Sequence, residues 1–572
     1  MHKKTVIDFK ELEERLVFEN PVLELKTRNL SEVKSILDEV ASFQKQGYYV
    51  VGYLSYEAAP AFEEKFRVSD RQLAGEYLAY FTVHDRVERQ PFPLSYDPVS
   101  MPEAWHDLDS QENYEAAIRH IQEQIRQGNT YQVNHTIRLK SQIADDSFAI
   151  YNRLMVEQNA GYNAYIAHDD VAILSASPEL FFKKEGQELT TRPMKGTTSR
   201  GLTYQSDLEQ QAWLAQDIKN RAENMMIVDL LRNDMGRVCQ IGSVKVDQLC
   251  QVEQYSTVWQ MTSTIKGILQ TQSLTEIFEA LYPCGSITGA PKIATMKVID
   301  ELESQARGVY CGTIGICLPN GSAIFNVPIR TMQVQGQTAY YGVGGGITWD
   351  SKWQGEFEET RQKSAVLYRQ NPVFDLISTG KLVNGQLELR DLHLKRLKEA
   401  AAYFDYTFEL DQFEAALDAS IEALAQGTYR LRMTVSKSGQ FGFEAQPLSQ
   451  LPKSYTRLTL KERDLDLTAF VTFKTSRRDH IPDLDGDCLF YGADGRLQES
   501  RIANLVLDLD GELLTPAVED GCLAGLYRQC LIDQGLVKEA HLYKEDLEKA
   551  SRILLCNAVR GLYEVELERG EE

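Results

Sequence analysis

A helical pattern that ends near Arg369 is followed by Asn371-Pro372, and this dipeptide divides the chain into two parts. The residue before a proline is disfavoured in the helical conformation, so the helix is not expected to run past this point. A chain of 572 residues is also too long for one ordinary hydrophobic core, and its length suggests roughly three or four structural units. We expect an amino-terminal segment over residues 1–105, a domain over 106–368 and a further domain over 371–572.

Composition and charge exclude several classes of protein. The formal net charge of -22 opposes binding to nucleic acids or to anionic membranes, because both attract a basic surface. No apolar run approaches the roughly 18 residues needed to span a bilayer, and the acidic residues after Met1-His2-Lys3-Lys4 do not fit a signal peptide. The nine cysteines form no CxxC pair, which favours reduced thiols over a disulfide framework or a zinc site. These features predict a globular, soluble, cytoplasmic protein.

Lys195 stands in the middle of the stretch Thr191-Arg192-Pro193-Met194-Lys195-Gly196-Thr197-Thr198. The proline restricts the approach of the chain, and the glycine allows the backbone to come close to a ligand. A lysine held in such a place loses hydration, which lowers its pKa and frees the amine as a nucleophile. Taken alone, the stretch is better explained by a solvated lysine in a turn between strands.

Several stretches downstream carry groups suited to an anionic ligand. A helix predicted over residues 291–307 begins after Gly285-Ser286-Ile287-Thr288-Gly289-Ala290, where free backbone N–H groups could face an anion. Arg330 falls in a predicted strand, where it either forms a structural ion pair or binds a carboxylate. The segment Gly342-Val343-Gly344-Gly345-Gly346-Ile347 is predicted to be a glycine turn in close contact with a small acid, because it lacks the spacing of a dinucleotide-binding fingerprint.

Two predicted helices carry acidic residues of interest. Glu223 falls in a helix predicted over residues 205–233. Glu356 and Glu359 are three residues apart in a helix that runs to about Tyr368, so their side chains share one face. Three carboxylates from two helices would suit a hard cation such as Mg²⁺, which prefers oxygen ligands. A run of charges on a helix is, however, more often a solvated surface.

These motifs occur together, and in the same order, in the chorismate-utilising enzymes, which residues 110–365 of this chain resemble. The matching segments are Ser-Pro-Glu at 177–179, Pro-Met-Lys-Gly-Thr at 193–197, Ala-Glu-Asn-Met-Met-Ile-Val-Asp-Leu with Arg-Asn-Asp at 222–234, Ile-Thr-Gly-Ala-Pro-Lys at 287–292, Arg-Gly-Val-Tyr-Cys-Gly at 307–312, Ile-Arg-Thr at 329–331, Gly-Gly-Gly-Ile at 344–347 and Glu-Phe-Glu-Glu-Thr at 356–360.

The resemblance implies an α/β (α+β) fold in which two β-sheets pack together, with helices outside and Mg²⁺-bound chorismate between them. By the same resemblance, Glu223, Glu356 and Glu359 would hold the metal, and Glu179 would protonate the departing C4 hydroxyl of chorismate. The substrate-binding positions that carry over are Thr288, Tyr310, Arg330, Gly344, Gly345, Gly346 and Lys363.

Three positions discriminate among branches of this family. Isochorismate and salicylate synthases carry a lysine base at the position of Gln132, so activation of water is not expected here. Anthranilate synthases have a small residue in place of Lys195, whereas the Pro-x-Lys-Gly-Thr form resembles the aminodeoxychorismate synthase branch. There Lys195 would attack C2 of chorismate, and ammonia would then add at C4 and release the lysine. Gln260 replaces a histidine that is tied to pyruvate elimination, which fits an enzyme that stops at the aminated intermediate.

The source of ammonia is not evident in this sequence. Gly521-Cys522-Leu523-Ala524-Gly525 is the one Gly-Cys-x-x-Gly run of the chain, and it lacks the neighbourhood of a glutaminase nucleophile. The resemblance therefore implies a separate glutamine amidotransferase as the partner.

The carboxyl-terminal domain, residues 371–572, resembles the fold-type IV pyridoxal-phosphate enzymes. This group includes the branched-chain aminotransferases and the aminodeoxychorismate lyases. The segments that carry this resemblance are Asp391-Leu392-His393-Leu394-Lys395-Arg396-Leu397, Phe473-Lys474-Thr475-Ser476, Leu497-Gln498-Glu499-Ser500, Ile502-Ala503-Asn504-Leu505, Leu514-Thr515-Pro516, 521–528 and Asn557-Ala558-Val559-Arg560-Gly561.

This second resemblance implies a pyridoxal 5'-phosphate site. Lys474 would bond to the cofactor, and Glu499 would keep its pyridine nitrogen protonated. Arg396 and the backbone of Leu526-Tyr527 would hold the phosphate. Two departures from the group are an interval from Lys474 to Glu499 that is shorter than expected, and Tyr527 in place of a small hydroxyl residue.

Together the two resemblances predict that chorismate is aminated and then cleaved to 4-aminobenzoate, a folate precursor, and pyruvate. The residues leave alternatives open: an anthranilate synthase-like large subunit with an unrelated aminotransferase tail, a synthase with an inactive carboxyl-terminal scaffold, or a regulatory protein that binds chorismate in a dead site. Lys195 and Gln260 oppose the first of these, and the complete set of acidic residues opposes the last.

Overall fold

The computed structural model describes residues 3–71, 75–102, 104–371, 373–422, 424, 426–450, 457–483 and 486–568. It divides into two compact units, the first within residues 1–199 and 211–371 and the second within 200–210 and 372–572. Across these described ranges, no helix is long and apolar enough to cross a lipid bilayer.

The helices of the chain are α1 (Val33–Lys45), α2 (Gln111–Arg126), α3 (Ser147–Gln158), α4 (Tyr204–Gln216), α5 (Ile218–Gly236), α6 (Leu274–Leu281), α7 (Lys292–Leu302), α8 (Trp353–Ser364), α9 (Arg390–Phe404), α10 (Leu410–Glu422), α11 (Ala469–Thr472), α12 (Leu526–Asp533) and α13 (Asp546–Lys549).

The strands of the first unit are β1 (Lys4–Phe9), β2 (Arg15–Glu19), β3 (Leu23–Thr27), β4 (Tyr49–Leu54), β5 (Ala79–His84), β6 (Glu88–Gln90), β7 (His106–Asp107), β8 (Gln132–Gln142), β9 (Tyr162–His168), β10 (Val171–Ser177), β11 (Leu180–Glu185), β12 (Glu188–Arg192), β13 (Met194–Ser199), β14 (Lys245–Gln254), β15 (Val258–Ile268), β16 (Gly289–Ala290), β17 (Thr313–Cys317), β18 (Ala323–Asn326), β19 (Thr331–Gln335) and β20 (Thr338–Ile347). Those of the second unit are β21 (Leu376–Val383), β22 (Gln386–Leu387), β23 (Thr428–Val435), β24 (Phe441–Pro447), β25 (Arg457–Glu462), β26 (Cys488–Tyr491), β27 (Leu497–Ser500), β28 (Asn504–Leu509), β29 (Glu512–Pro516), β30 (Lys538–Ala540), β31 (Arg552–Asn557) and β32 (Gly561–Leu567).

Two large sheets form the first unit. In the part of the chain that is described, the first sheet has ten strands in the order β16-β8-β20-β19-β10-β9-β1-β2-β6, with β7 beside β8. The second also has ten, in the order β13-β15-β12-β11-β18-β17-β4-β5-β3, with β14 beside β15. Because strands from the first hundred residues occur in both sheets, the amino-terminal segment is an integral part of this unit.

An apolar layer fills the space between the two sheets. Ile7 on the first sheet and Val51 and Ile314 on the second belong to one buried cluster, and all three are fully buried. Burying one such side chain stabilises the fold by about 1.5–3 kcal/mol. Helices α2, α3 and α7 cover the outer face of the first sheet, and α1, α5 and α6 cover that of the second. The predicted sandwich of two sheets with outer helices is confirmed.

Several predicted elements differ from the structure in ways that matter for the site. The helix predicted over residues 205–233 is two helices, because Asp217 ends α4 and caps α5 by accepting a 2.8 Å hydrogen bond from the backbone N–H of Asn220. The helix predicted to reach residue 307 ends at Leu302, and the one predicted to reach Tyr368 ends at Ser364.

Two further predictions about local structure were wrong. Arg330 does not lie in a strand, but in the connection between β18 and β19, with a left-handed φ of 54°. The glycine segment is not a turn, because β20 continues through it in register with β8, pairing Gly344 with Thr136. Glycine is required there for close packing rather than for turning the chain.

The second unit has its own pair of sheets. Among its described residues, a four-stranded sheet has the order β22-β21-β23-β24, and α9 and α10 pack on it through a cluster that includes Leu397, Phe413 and Met433. An eight-stranded sheet has the order β27-β26-β25-β32-β31-β28-β29-β30, and a further pairing of β27 with β28 closes six of these strands into a ring.

Candidate active sites

A cavity of about 370 Å³ in the first unit brings most of the predicted site residues together. Both sheets and the helices α5 and α8 contribute to its wall. The predicted residues on this wall are Glu179, Lys195, Glu223, Tyr310, Arg330, Gly344, Gly345, Gly346, Glu356, Glu359 and Lys363.

Lys195 lies on β13, at a point where this strand has one residue more than its partner β15. The pairing shifts between Met194 and Thr197, and Gly196 takes a left-handed φ of 94°. Burial lowers the pKa of the Lys195 amine, and the nearby Lys363 acts in the same direction, whereas Glu223 opposes them. The amine makes no hydrogen bond or ion pair with any residue that the structure describes. It therefore has the properties of a lysine nucleophile.

Glu179 is the most deeply buried acid of the cavity, with 2% of its surface exposed. Burial raises its pKa to about 7, and the Ser286 hydroxyl and Lys195 offset part of this effect. Its Oε1 atom has no hydrogen-bond partner among the described residues. An acid with a pKa near neutrality keeps a proton that it can donate, which suits a general acid.

Glu356 and Glu359 lie one turn apart on α8 and face β20. A Cβ atom placed on Gly345 would lie 3.5 Å from Glu356 Oε2 and 4.0 Å from Glu359 Oε1, so the two carboxylates approach the same point. Glu359 forms a 2.6 Å ion pair with Lys363, and the charge of Lys363 lowers the pKa of Glu359. Burial raises the pKa of Glu356, which accepts a 2.7 Å hydrogen bond from the Ser351 hydroxyl.

Glu223 reaches the same cavity from α5. Its carboxylate lies 3.9 Å from the amine of Lys219, and burial raises its pKa. No group of three His, Cys, Asp or Glu residues in the described chain stands close enough together to hold a metal as the side chains are placed. The donor set is nevertheless chemically right for Mg²⁺, because it consists of carboxylate oxygens around one cavity. Lys363 and Lys219 supply positive charge beside these acids in the present arrangement.

Arg330 and Lys363 lie beside these carboxylates on the cavity wall, next to the glycine strand. Lys363 donates a 2.8 Å hydrogen bond to the carbonyl of Gly344, and the Arg330 guanidinium donates to the carbonyl of Lys363. A Cβ atom on Gly342 would overlap the ring of Tyr310, so the glycine allows this ring to reach the cavity. Two cations and a phenol therefore face a space large enough for a small carboxylic acid.

Gln132 is fully buried, and neither of its amide atoms has a hydrogen-bond partner among the described residues. It approaches Gly346, and a Cβ atom on this glycine would also lie 2.7 Å from Lys195 Nζ. The discriminating positions Gln132 and Lys195 thus meet at one glycine.

Thr288 is the predicted substrate-binding residue that does not lie on the cavity wall. It is fully buried, and its hydroxyl donates a 3.0 Å hydrogen bond to the carbonyl of Cys284, so it is already used in holding the loop before α7. The neighbouring Ser286 lines the cavity instead.

Several polar residues of the wall were missed from the sequence. Asp217 and Asn220 were hidden inside a predicted continuous helix, and the helix break places them at the cavity. Asn134, near the start of β8, carried no signal beyond its strand pattern. The lining residues not predicted are Asn134, Pro178, Met194, Gly196, Thr197, Trp213, Asp217, Lys219, Asn220, Ser286, Ile287, Ile329, Gly342 and Val343.

A second candidate site lies in the second unit around Lys474. Burial lowers the pKa of the Lys474 amine to about 7, and the charges of Arg396 and Arg478 add to this effect. Its amine forms no hydrogen bond or ion pair with the residues that are described. The Lys474 carbonyl accepts a 2.9 Å hydrogen bond from the backbone of Ile377, which fixes the chain at this position.

Glu499 on β27 belongs to the same candidate site as Lys474. Burial raises its pKa to about 7, and it accepts a 3.0 Å hydrogen bond from the backbone N–H of Leu523. Lys474 and Glu499 are close enough for each to influence the ionisation of the other. The shortened interval between them therefore still brings the two groups into one site.

The predicted phosphate-binding residues lie near one another. The Arg396 guanidinium donates to the carbonyl of Ala524, two residues before Leu526 at the start of α12. Tyr527 packs near Gly561, since a Cβ atom on this glycine would lie 3.4 Å from the tyrosine hydroxyl. An unpaired amine, a carboxylic acid and several arginines form a donor set that fits pyridoxal phosphate, which has an aldehyde, a pyridine nitrogen and an anionic phosphate.

Comparisons with known proteins agree with this division of the chain. Residues 3–369 match the family model of chorismate binding enzymes, and residues 373–567 match that of class IV aminotransferases. Aminodeoxychorismate synthase component 1 of Salmonella typhimurium is 40% identical over 267 residues, which cover 46% of this chain and 59% of the relative. An anthranilate synthase component 1 of Haloarcula marismortui is 37% identical over 272 residues, which cover 47% of this chain and 56% of the relative.

The fold of the first unit also has solved counterparts. The crystal structure of anthranilate synthase component I from Streptococcus pneumoniae superposes with a TM-score of 0.55 at 25% identity, covering 62% of this chain and 92% of that one. The matches to the curated relatives span less than two thirds of the length of those proteins.

Proposed function

The chain belongs, over residues 3–369, to the family of chorismate binding enzymes, and on this premise we propose that it makes 4-aminobenzoate from chorismate in two steps. The first unit aminates chorismate to 4-amino-4-deoxychorismate. The second unit, which matches the class IV aminotransferases, cleaves this product to 4-aminobenzoate and pyruvate. The protein would then be a multifunctional enzyme that supplies a folate precursor, and its nine unpaired cysteines support a reducing, cytoplasmic location.

The amination uses Lys195 as the nucleophile and Glu179 as the acid. The neutral Lys195 amine attacks C2 of chorismate while both ring double bonds shift and the bond from C4 to its hydroxyl breaks. Glu179 gives the departing hydroxyl a proton, so that it leaves as water. Ammonia then adds at C4, both double bonds shift back, and the bond to Lys195 breaks, so that the lysine leaves as the free amine. Burial supports these roles, because it lowers the pKa of the Lys195 amine, which favours the neutral form, and raises the pKa of Glu179 to about 7, which favours the protonated form.

The carboxylates of the cavity would hold Mg²⁺. Glu223, Glu356 and Glu359 are the residues for this role, since they line one cavity and offer only oxygen ligands. The ion, when bound, offsets the negative charge of a substrate carboxylate that would otherwise be repelled by these acids. Arg330, Lys363 and the phenol of Tyr310, which also line this cavity, would hold the second carboxylate of chorismate.

Ammonia would come from a separate glutamine amidotransferase. The curated relatives from Salmonella and other bacteria are named as component 1 of their synthases, which supports a second component. The only cysteine in a Gly-Cys-x-x-Gly run, Cys522, is buried and burial raises its pKa to about 12, so it does not have the properties of a glutaminase nucleophile.

The second step depends on a cofactor site, in which Lys474 and Glu499 would hold pyridoxal phosphate. Arg396 and the start of α12 would bind the phosphate group. When bound, this cofactor supplies an electron sink for a developing carbanion. Lys474, with a pKa of about 7, would take the proton from C4 of the substrate. Pyruvate then leaves as the ring becomes aromatic.

The observation that carries this proposal is the meeting in one cavity of a partly buried lysine with no hydrogen-bond partner among the described residues, an acid with a raised pKa and three further carboxylates. The test is the product formed from chorismate, ammonium and Mg²⁺, with and without pyridoxal phosphate. We expect aminodeoxychorismate from the cofactor-free protein, and 4-aminobenzoate with an equal amount of pyruvate after the cofactor is added. Anthranilate as the product would instead support the second candidate function, which the similarity to anthranilate synthases favours.

A further inference from the structure

The Lys195 amine lies in the cavity, and no residue in the described part of the chain fixes its position by a hydrogen bond or ion pair. A flexible side chain with a free end is aimed only by the backbone that carries it. The amine must nevertheless reach within about 3–3.5 Å of the reacting carbon, since such near-attack geometry is what makes an intramolecular attack fast. The position of the Lys195 backbone therefore decides how often the amine is aligned.

This backbone is irregular. One extra residue in β13, relative to β15, forms a β-bulge between Met194 and Thr197, and the bulge contains Lys195 and Gly196. Bulges bend a strand and redirect a side chain, and they often occur beside active sites. They also remove ladder hydrogen bonds, so the peptide groups in the bulge need other partners to stay in one conformation.

Side chains from two elements provide these partners. Gln260 on β15 donates a 2.9 Å hydrogen bond from its amide nitrogen to the carbonyl of Gly196. Its amide oxygen accepts a 3.1 Å hydrogen bond from the Thr197 hydroxyl. One amide thus holds Gly196 in the bulge and Thr197, the residue at which the pairing with β15 resumes. On the other side, Asn224 of α5 donates a 3.4 Å hydrogen bond to the carbonyl of Lys195.

We infer that Gln260 is a positioning residue for the nucleophilic lysine, holding the bulge of β13 in the conformation that directs Lys195 to the substrate. This inference rests on the proposed function. It assigns to Gln260 a role through hydrogen bonds to the backbone of the lysine segment, with no direct part in the reaction.

The bridge predicts a graded response to substitution. Thr197→Val removes one of the two hydrogen bonds of Gln260, and Gln260→Leu removes both while keeping a side chain of similar size. Gln260→Glu keeps the acceptor for Thr197, but places a carboxylate oxygen against the Gly196 carbonyl. We expect the rate of attack by Lys195 to fall modestly in the first variant and more strongly in the other two.

The measurement is the rate at which chorismate, with Mg²⁺ and without ammonia, becomes attached to Lys195, followed by mass spectrometry of the quenched full-length protein. We expect a decrease of about 10- to 100-fold in Gln260→Leu, since a misplacement of about 1 Å has effects of this size. Thr264→Val is the matched control, because Thr264 lies on the same strand, away from the cavity wall. Thermal unfolding of each variant shows whether the fold is kept, and Thr197→Val remains informative if Gln260→Leu does not fold.

A second readout separates positioning from general damage. In a protein that already carries Lys195→Ala, the remaining amination by ammonia should not decrease further when Gln260→Leu is added. If Gln260→Leu forms the adduct at the rate of the parent, or if it lowers the remaining activity of the Lys195→Ala protein to the same extent, the inference is wrong. If the parent itself forms no adduct, the proposed covalent route fails first, and the positioning role is overturned with it because there is no nucleophile to position.

Discussion

The two units each hold a partly buried lysine whose amine forms no hydrogen bond with the described residues, but the charges around the two amines are opposite in sign. Lys195 lies in a cavity with Glu179, Glu223, Glu356 and Glu359. Lys474 has Arg396 and Arg478 as its main charged neighbours, with one acid, Glu499. Burial lowers the pKa of both amines, so burial alone does not distinguish the two sites.

The charged residues around each lysine distinguish the two sites, because the two sets require different ligands. An acidic cavity can bind a substrate with two carboxylates only together with a cation, which fits chorismate with Mg²⁺. A basic site can bind an anionic phosphate directly, which fits pyridoxal phosphate. In the proposed function, the same chemical group, an amine with a lowered pKa, would serve as a nucleophile towards a substrate in one unit and as the attachment point of a cofactor in the other.

The largest effect should come from Lys474→Ala. Without the amine, the rate of 4-aminobenzoate release should fall on the order of 10⁴-fold, as happens when one residue of a catalytic set is removed. Amination in the first unit should continue, so aminodeoxychorismate should accumulate in the chromatogram of a reaction with chorismate and ammonium. Lys461→Ala, at an exposed position of the same unit, is the control. Equal production of 4-aminobenzoate by Lys474→Ala and parent would show that the second unit is only a scaffold.

Lys195→Ala should have the next largest effect, on the other unit. Amination should decrease on the order of 10³-fold, because ammonia is then left to attack without covalent help. Cleavage of added aminodeoxychorismate should be unchanged, which reverses the pattern of the Lys474 variant. The control is Lys266→Ala, an exposed lysine on the neighbouring strand β15. Amination by the alanine variant at the rate of the parent would show that Lys195 is not the nucleophile of the first site.

Glu179→Gln should lower amination about 10²-fold and change its dependence on pH. An acid with a pKa of about 7 donates its proton below that pH, so the activity of the parent should fall as the pH rises through 7. The glutamine variant has no proton to lose there, and its remaining activity should not show this decrease. A variant profile that still falls around pH 7 would assign the titration to a different group.

The smallest effect, and the one specific to the acidic site, concerns the metal. Glu359→Gln keeps the shape of the side chain without its charge, and the Mg²⁺ concentration for half-maximal amination should rise about tenfold. Glu358→Gln is the matched control, because Glu358 precedes it on α8 and is exposed away from the cavity wall. Identical Mg²⁺ titrations for both variants would mean that these acids are a solvated helix face.

From the sequence, the functional side chains of the first site were predicted more accurately than the strands and turns that carry them. Motif positions such as Lys195, Glu179 and the acids of α8 carry their chemistry in the residue type, and all of them reach one cavity. Arg330 and the glycine segment were assigned to the wrong local structure, because a strand that continues through glycines looks like a turn in sequence. Only pairing with β8, which is distant in the chain, decides the difference.

Other features depend on contacts that no local pattern contains. The break at Asp217 makes two helices of a continuous helical pattern, and it brings Asn220 to the cavity. Residues 200–210 belong to the second unit, where Arg200 forms a buried 2.6 Å ion pair with Asp207 and lies over the ring of Tyr403. The sequence motifs did not predict this assignment, because these residues directly follow the Lys195 stretch.

The central claim is that two lysines in one chain perform two successive steps, and peptide mapping tests it most directly. One portion of the full-length protein is incubated with chorismate and Mg²⁺ and quenched, and another is treated with pyridoxal phosphate and borohydride. We predict that the peptide with Lys195 carries the chorismate-derived mass in the first portion, and that the peptide with Lys474 carries the reduced cofactor in the second. The absence of either label from its lysine, or the same lysine carrying both, would contradict the account.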